Sequence, residues 1–135
     1  MKIKIYTDGA SRGNPGPASY GFMITNGKGD LLKEEGKVLG ITTNNVAEYT
    51  GVFEALSFVK NNLPDGVTQI ELFADSKLVV EQLSGRYKIK AKHLKEIIEK
   101  IQILAIDLGG VIYSHIPREQ NRSADKLANE ALDKR

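Results

Sequence analysis

From its second residue the chain alternates. Lys2, Lys4 and Tyr6 interleave with Ile3, Ile5 and Thr7, the period of a half-buried strand over residues 2–8. A Gly/Pro/Asn loop from Gly9 to Pro17 interrupts the pattern, and a second strand is expected over residues 18–26. Asn26-Gly27-Lys28-Gly29-Asp30 is a strong turn signal, so residues 31–41 return as a third, antiparallel strand. Thr42-Thr43-Asn44-Asn45 then offers N-cap residues to a helical run in which Val52, Ala55, Leu56 and Val59 recur at helical spacing. Pro64-Asp65-Gly66 ends that unit, and residues 67–74 read as a fourth strand. Asp75-Ser76 begins a short helix that runs through Leu83 and stops at Ser84-Gly85. A long amphipathic helix follows, with Leu94, Ile97, Ile98, Ile101, Leu104, Ala105 and Leu108 on one stripe. Gly109-Gly110 breaks it, residues 111–116 form a fifth strand closed by Pro117, and a last helix starts near Asn121.

The order βββαβααβα is that of an α/β protein. A meander followed by alternating units implies a mixed five-stranded sheet with helices packed on it. A right-handed crossover from the first strand's neighbourhood to the fourth sets their carboxyl ends side by side. With no internal repeat, low-complexity tract or linker, residues 1–135 are expected to form a single domain. Cysteine is absent, which excludes disulfides, thiolate metal sites and thiol nucleophiles. The alternating N-terminus is unlike a signal peptide and no stretch approaches membrane-spanning length, so a cytoplasmic, monomeric protein without membrane contact is expected. A net charge of +2 leans only slightly toward polyanions. Its distribution matters more, because Arg86, Lys88, Lys90, Lys92 and Lys95 crowd one short stretch.

Four acids stand where a purely structural protein gains little from them. Asp8 ends the first strand on the parity of Lys2, Lys4 and Tyr6, and Asp75 ends the fourth on the parity of Glu71 and Phe73. Glu48 extends the apolar stripe of the first helix, and Asp125 precedes Ala128 and Leu132 on that of the last. Acids on an apolar stripe are costly unless paired or metal-bound. Three also have a plainer account: Asp75 as a helix N-cap, Asp8-Gly9 as a turn, Asp125 as a first-turn acid favoured by the helix dipole. Glu48 fits such an account least. If the four converge, divalent cations would relieve their repulsion, and Mg²⁺ suits a few carboxylates plus waters and a substrate phosphate. Two such ions, about 4 Å apart, activate a water and stabilise the leaving oxygen of a phosphodiester.

Four motifs now matter. The stretch from Tyr6 to Ala18, Tyr6-Thr7-Asp8-Gly9-Ala10-Ser11-Arg12-Gly13-Asn14-Pro15-Gly16-Pro17-Ala18, resembles the opening strand and loop of type 1 ribonuclease H. Thr42-Thr43-Asn44-Asn45-Val46-Ala47-Glu48-Tyr49, Phe73-Ala74-Asp75-Ser76-Lys77-Leu78-Val79-Val80 and the run from Arg118 to Asn129 resemble that family's three later motifs, in family order. The resemblance implies a ribonuclease H-like fold and hydrolysis of the RNA strand of RNA–DNA hybrids to 5′-phosphate and 3′-hydroxyl products. It implies Asp8, Glu48, Asp75 and Asp125 as catalytic ligands of two Mg²⁺ ions, with Mn²⁺ as a substitute. It matches Asn14, Asn44 and Asn45 to residues that meet the minor groove and RNA 2′-hydroxyls, which short amides suit because they both donate and accept. Thr43 matches a contact to a DNA-strand phosphate, and Lys77 and Arg118 join the substrate-binding set. Plain helix capping is the simpler account of Asn44 and Asn45, and the two are compatible.

The chain departs from some members in two ways. A histidine carried by some in a flexible loop before the last aspartate has no clear counterpart, because His115 falls inside a strand. Arg118 is the candidate in its place, as a phosphate contact rather than a proton carrier. A basic helix that some members insert after the third motif is also missing, and Arg86, Lys88, Lys90 and Lys92 are expected to form a basic groove instead. Lys88, Lys90 and Lys92 alternate with Ile89 and Ala91, so an extended backbone would point the three ammonium groups one way. Two other readings stay in view: another ribonuclease H-like nuclease, and a non-catalytic hybrid- or RNA-binding module.

Overall fold

The computed structural model describes residues 1–63, 66–88 and 91–135. It contains β1 (Lys2–Ser11), β2 (Gly16–Asn26), β3 (Leu31–Thr42), α1 (Asn44–Asn62), β4 (Gln69–Ala74), α2 (Lys77–Leu83), α3 (Lys92–Asp107), β5 (Ile112–His115) and α4 (Arg122–Asp133), with a 3₁₀ turn at Arg118–Gln120. The strands form one mixed sheet in the order β3-β2-β1-β4-β5, with β1 antiparallel to β2 and parallel to β4. This is the expected βββαβααβα fold, the 3₁₀ turn being the one unforeseen element. Of the expected features, Pro64 and Asp65 before β4, and Ile89 and Lys90 before α3, lie outside the described residues.

The alternation of β1 decides which side is buried. Ile3 and Ile5 face a core shared with Ile24 of β2 and Ile70 and Leu72 of β4. Tyr49, Val52, Leu56 and Val59 of α1 and Leu94, Ile98 and Ile101 of α3 close that core. α4 packs on β1, β2 and β3 through Ala124, Ala128 and Leu132.

Two differences from the reading of the sequence bear on the site. β1 continues past Asp8 to Ser11, because β2 starts at Gly16 and its first residues pair with Gly9, Ala10 and Ser11. Asp8 is therefore held inside the ladder opposite Gly21 rather than at a loose strand end. The other concerns the caps. Thr43 caps α1, its Oγ1 accepting from the Val46 N–H at 3.2 Å, and Ser76 caps α2 by accepting from the Val79 N–H at 3.3 Å. Capping thus accounts for neither Asn44, Asn45 nor Asp75.

Candidate active site

Backbone contacts too close for any side chain bring the acids together. A Cβ on Gly9 would sit 2.4 Å from the backbone nitrogen of Glu48, so glycine here lets α1 lie directly on β1 and sets Glu48 above Asp8. Gly21 and Gly36, paired across β2 and β3, form a shallow groove for α4. A Cβ on Gly21 would meet the Ala124 carbonyl oxygen at 2.4 Å, and one on Gly36 the Leu127 carbonyl oxygen at 2.3 Å. Ser19 Oγ donates to the Ala128 carbonyl at 2.5 Å and sets the position of α4 along the groove. Because Gly21 stands opposite Asp8, seating α4 there brings Asp125 to Asp8. The fourth strand does the rest: Thr7 pairs with Ala74, so Asp8 and Asp75 leave neighbouring parallel strands together.

The result is a cleft of about 300 Å³ lined by Asp8, Glu48, Asp75 and Asp125 together with Asn44, Arg118 and Asn129. Carboxylate oxygens of Asp8, Glu48 and Asp75 all lie within 4.8 Å of one another. Asp125 lies outside that tight group but faces the same cleft and contacts Asp8. Its carboxylate accepts from Asn129 Nδ2 at 3.1 Å and lies 3.9 Å from the exposed guanidinium of Arg118.

Crowding of like charges is written into the acids' proton affinities. Burial, then the charge of Asp75, then the side chain of Asp125 raise the Asp8 carboxyl from 3.8 to about 8, against a weaker opposing effect from the Gly9 N–H, which donates to Asp8 Oδ1 at 2.9 Å. Burial and then the charges of Asp8 and Asp75 raise Glu48 well above its ordinary value. A protein that kept these groups for stability alone would pair them with cations. Here the one cation that lines the cleft among the described residues is Arg118, at the rim. Such an oxygen-only donor set, open to solvent on one side, fits a hard divalent cation that retains waters.

The remaining predicted site residues fall into two groups. Asn14, Thr43 and Asn44 meet at the start of α1, where Asn14 Oδ1 accepts from the Asn44 N–H at 3.0 Å. Thr43 uses its oxygen as the cap acceptor, which leaves its O–H to donate. Asn45 lines a second, more apolar depression of about 510 Å³ with Tyr49, Leu78, Arg86, Tyr87 and Lys88. Arg86 is tied to Glu81 at 3.0 Å. The extended alternation expected for Lys88, Lys90 and Lys92 does not run through Lys92, which opens α3, and Lys90 lies outside the described residues. Lys77 is exposed at the start of α2, and among the described residues it lines neither depression. His115, at the end of β5, places Nε2 3.2 Å from the Asp75 carbonyl oxygen.

Two site residues escaped the sequence reading. Asn129 holds Asp125, and Asn121, read only as a helix start, is buried beneath the acids. Asn121 Nδ2 donates to the Thr7 carbonyl at 2.8 Å and to Asp75 Oδ2 at 3.1 Å. Their spacing was the available signal. Asn121 and Asn129 lie four residues to either side of Asp125, on its own face of the helix.

With the geometry in place, comparison with known proteins is direct. The model of the family described as Reverse transcriptase-like matches residues 6–131. A protein of Mycobacterium tuberculosis described as bifunctional is 43% identical over 98% of this chain, which spans 36% of that relative's length. The chain likewise spans 65% of the ribonuclease HI of Halobacterium salinarum. Among solved structures, LC11-RNase H1 in complex with an RNA/DNA hybrid superposes with a TM-score of 0.92 at 44% identity, covering 98% of this chain and 97% of that one. The Halobacterium salinarum RNase H1 superposes with a TM-score of 0.92 at 38% identity over the whole of both chains. Identity at that level along an entire superposed fold, joined to the family match over residues 6–131, makes this chain a member of the type 1 ribonuclease H family.

Proposed function

We propose that this chain is an endonuclease that hydrolyses the RNA strand of RNA–DNA hybrids, leaving a 5′-phosphate and a 3′-hydroxyl. The observation that carries the reading is the convergence of Asp8, Glu48 and Asp75 within 4.8 Å, with Asp125 on the same cleft and Arg118, at the rim, the one cation among the described residues that line it. A relative of 44% identity crystallised with an RNA/DNA hybrid supports the substrate. Residues 1–135 form the catalytic domain on this reading. On the same reading it acts as a monomer in the cytoplasm, one chain carrying all four acids.

Asp8, Glu48, Asp75 and Asp125 would hold two Mg²⁺ or Mn²⁺ ions. Bound there, divalent cations supply Lewis-acid stabilisation of phosphodiester charge and a water acidic enough to attack at neutral pH. The chain's own groups do the rest. Asp8 and Asp75, fixed by adjacent strands, aim their oxygens at one point, and Glu48 enters from the helix lying on Gly9. Arg118 stands over the rim of the cleft, where a guanidinium can meet a phosphate in a bidentate fashion. Asn14, Asn44 and Asn45 present amides to the minor groove and select the strand that bears 2′-hydroxyls. The free O–H of Thr43 at the start of α1 donates to a phosphate of the other strand. Lys77 adds charge beside Asp75.

The test is a cleavage assay on labelled RNA–DNA hybrid, duplex DNA and duplex RNA, with Mg²⁺ and with EDTA. Mg²⁺-dependent cutting of the hybrid's RNA strand is expected, together with an intact DNA duplex and loss of activity in Asp75→Asn. Equal cutting of duplex DNA would move the chain to another class of nuclease. Tight binding without cutting would make it a binding module.

A further inference from the structure

We infer that Asn121 is a positioning residue of this site, its side-chain amide holding the Asp75 carboxylate in the orientation that lets it converge with Asp8 and Glu48. The inference rests on the nuclease reading for its consequence but on geometry for its substance. Asp75 lies just beyond Ala74, the last residue of β4, so the strand ladder no longer holds it. Among the described residues, the one side chain that donates to its carboxylate is Asn121, at 3.1 Å. The second bond of the same nitrogen, to the Thr7 carbonyl at 2.8 Å, fixes which end of the amide faces the acids, because both partners are acceptors.

The commitment has a visible cost elsewhere. Asn121 occupies the N-cap position of α4, where asparagine is among the favoured residues, yet it makes no side-chain cap bond. Its Oδ1 is buried without a partner. A residue kept for helix stability would turn its oxygen to the first-turn N–H groups. This one turns its nitrogen to the strands instead. Its backbone carbonyl meanwhile accepts from the Asp125 N–H at 3.2 Å. One residue therefore joins the backbone before Asp8, the carboxylate of Asp75 and the amide of Asp125. A neutral donor suits the task, since it orients a carboxylate without bringing a cation that competes with a metal ion. Groups that support ligands in this way typically contribute ten- to a hundred-fold in metal affinity or activity.

Asn121→Ala and Asn121→Leu test the assignment, the second keeping the branched shape and removing the donor without adding a charge. Both are expected to raise the Mg²⁺ half-saturation and to lower kcat at saturating hybrid by roughly ten- to a hundred-fold, with KM for hybrid near wild type. A role in packing alone predicts that Asn121→Leu, which fills the same space, keeps the wild-type Mg²⁺ half-saturation, and that result would overturn the assignment. So would variants with a lower Tm but unchanged Mg²⁺ half-saturation. If neither variant folds, the wild-type protein decides by NMR. The side-chain ¹⁵NH₂ resonances of Asn121 should shift on Mg²⁺ titration with the same midpoint as the Gly9 amide, and their indifference to Mg²⁺ overturns the inference. That titration is read without any nucleic acid, so a wild type that binds Mg²⁺ but does not cut hybrids fails the nuclease reading and leaves this test standing.

Discussion

The fold resists the charge of Asp8. Its carboxyl rises from 3.8 to about 8, so the folded protein binds this proton more tightly than the unfolded chain does. The stability it contributes is complete below about 4 and is lost as pH climbs through about 8. Removing the charge removes the loss. We predict that Asp8→Asn melts above the wild type in EDTA, that the gap widens from pH 5 to pH 8.5, and that the variant does not cut hybrids. A gap in Tm independent of pH, measured by calorimetry, would contradict this. The acids were legible in the sequence because strand parity and helix spacing are simple periods: Asp8 follows Lys4 and Tyr6 on one face, and Glu48 extends a stripe. Asn121 was not. What distinguishes it is a choice between two hydrogen-bonding directions, which exists only once β1, β4 and α4 lie side by side.

Among the elements, α4 is placed by absences of side chain. The glycine groove of Gly21 and Gly36 admits its backbone, and the contact is with carbonyl oxygens that cannot turn aside. Gly21→Ala should therefore cost about 1–3 kcal/mol through overpacking, and should reduce activity further by lifting Asp125 from Asp8. Gly27→Ala is the matched control. There a new Cβ makes only ordinary contacts with Lys2, its Cβ at 3.5 Å and its carbonyl oxygen at 4.0 Å, and stability should stay within about 0.5 kcal/mol of wild type. Equal melting of the two variants would show that α4 adapts. Element order was readable from turns and periodicity, but the extension of β1 to Ser11 was not. The glycines and proline of residues 9–17 signal a loop locally, and only pairing with β2 draws Gly9, Ala10 and Ser11 into the sheet. The pair Gly21 and Gly36 gave no local sign of a helix seat, since their partner lies about 90–110 residues further along the chain.

Across the molecule, Asn44 lines the acidic cleft and its neighbour Asn45 lines the depression that holds Arg86 and Lys88. No basic helix stands between α2 and α3 among the described residues, and under the proposed function this stretch would supply phosphate contacts to the hybrid. Lys88 and Lys92 are exposed, and Lys92 projects from the first turn of α3. Replacing both with Gln should flatten the slope of log K against log salt by up to about 2, raise KM at moderate salt and leave kcat at saturation nearly unchanged. An unaltered slope would return these lysines to the role of a solvated face.

The seat of α4 also has a consequence in time. Its apolar anchor is thin, Ala124, Ala128 and Leu132 being its buried residues, whereas α1 buries Tyr49, Val52, Leu56 and Val59. The helix should detach from the sheet more often than the rest of the molecule unfolds, exposing its backbone to proteases while α1 and the core persist. A ligand held partly by Asp125 binds the seated state and not the detached one, so it slows detachment by mass action. Limited digestion in EDTA should nick the chain first near α4, and Mg²⁺ should delay that cut more than any other. The last acid to join the site would then act as its latch, with the metal ion as the catch.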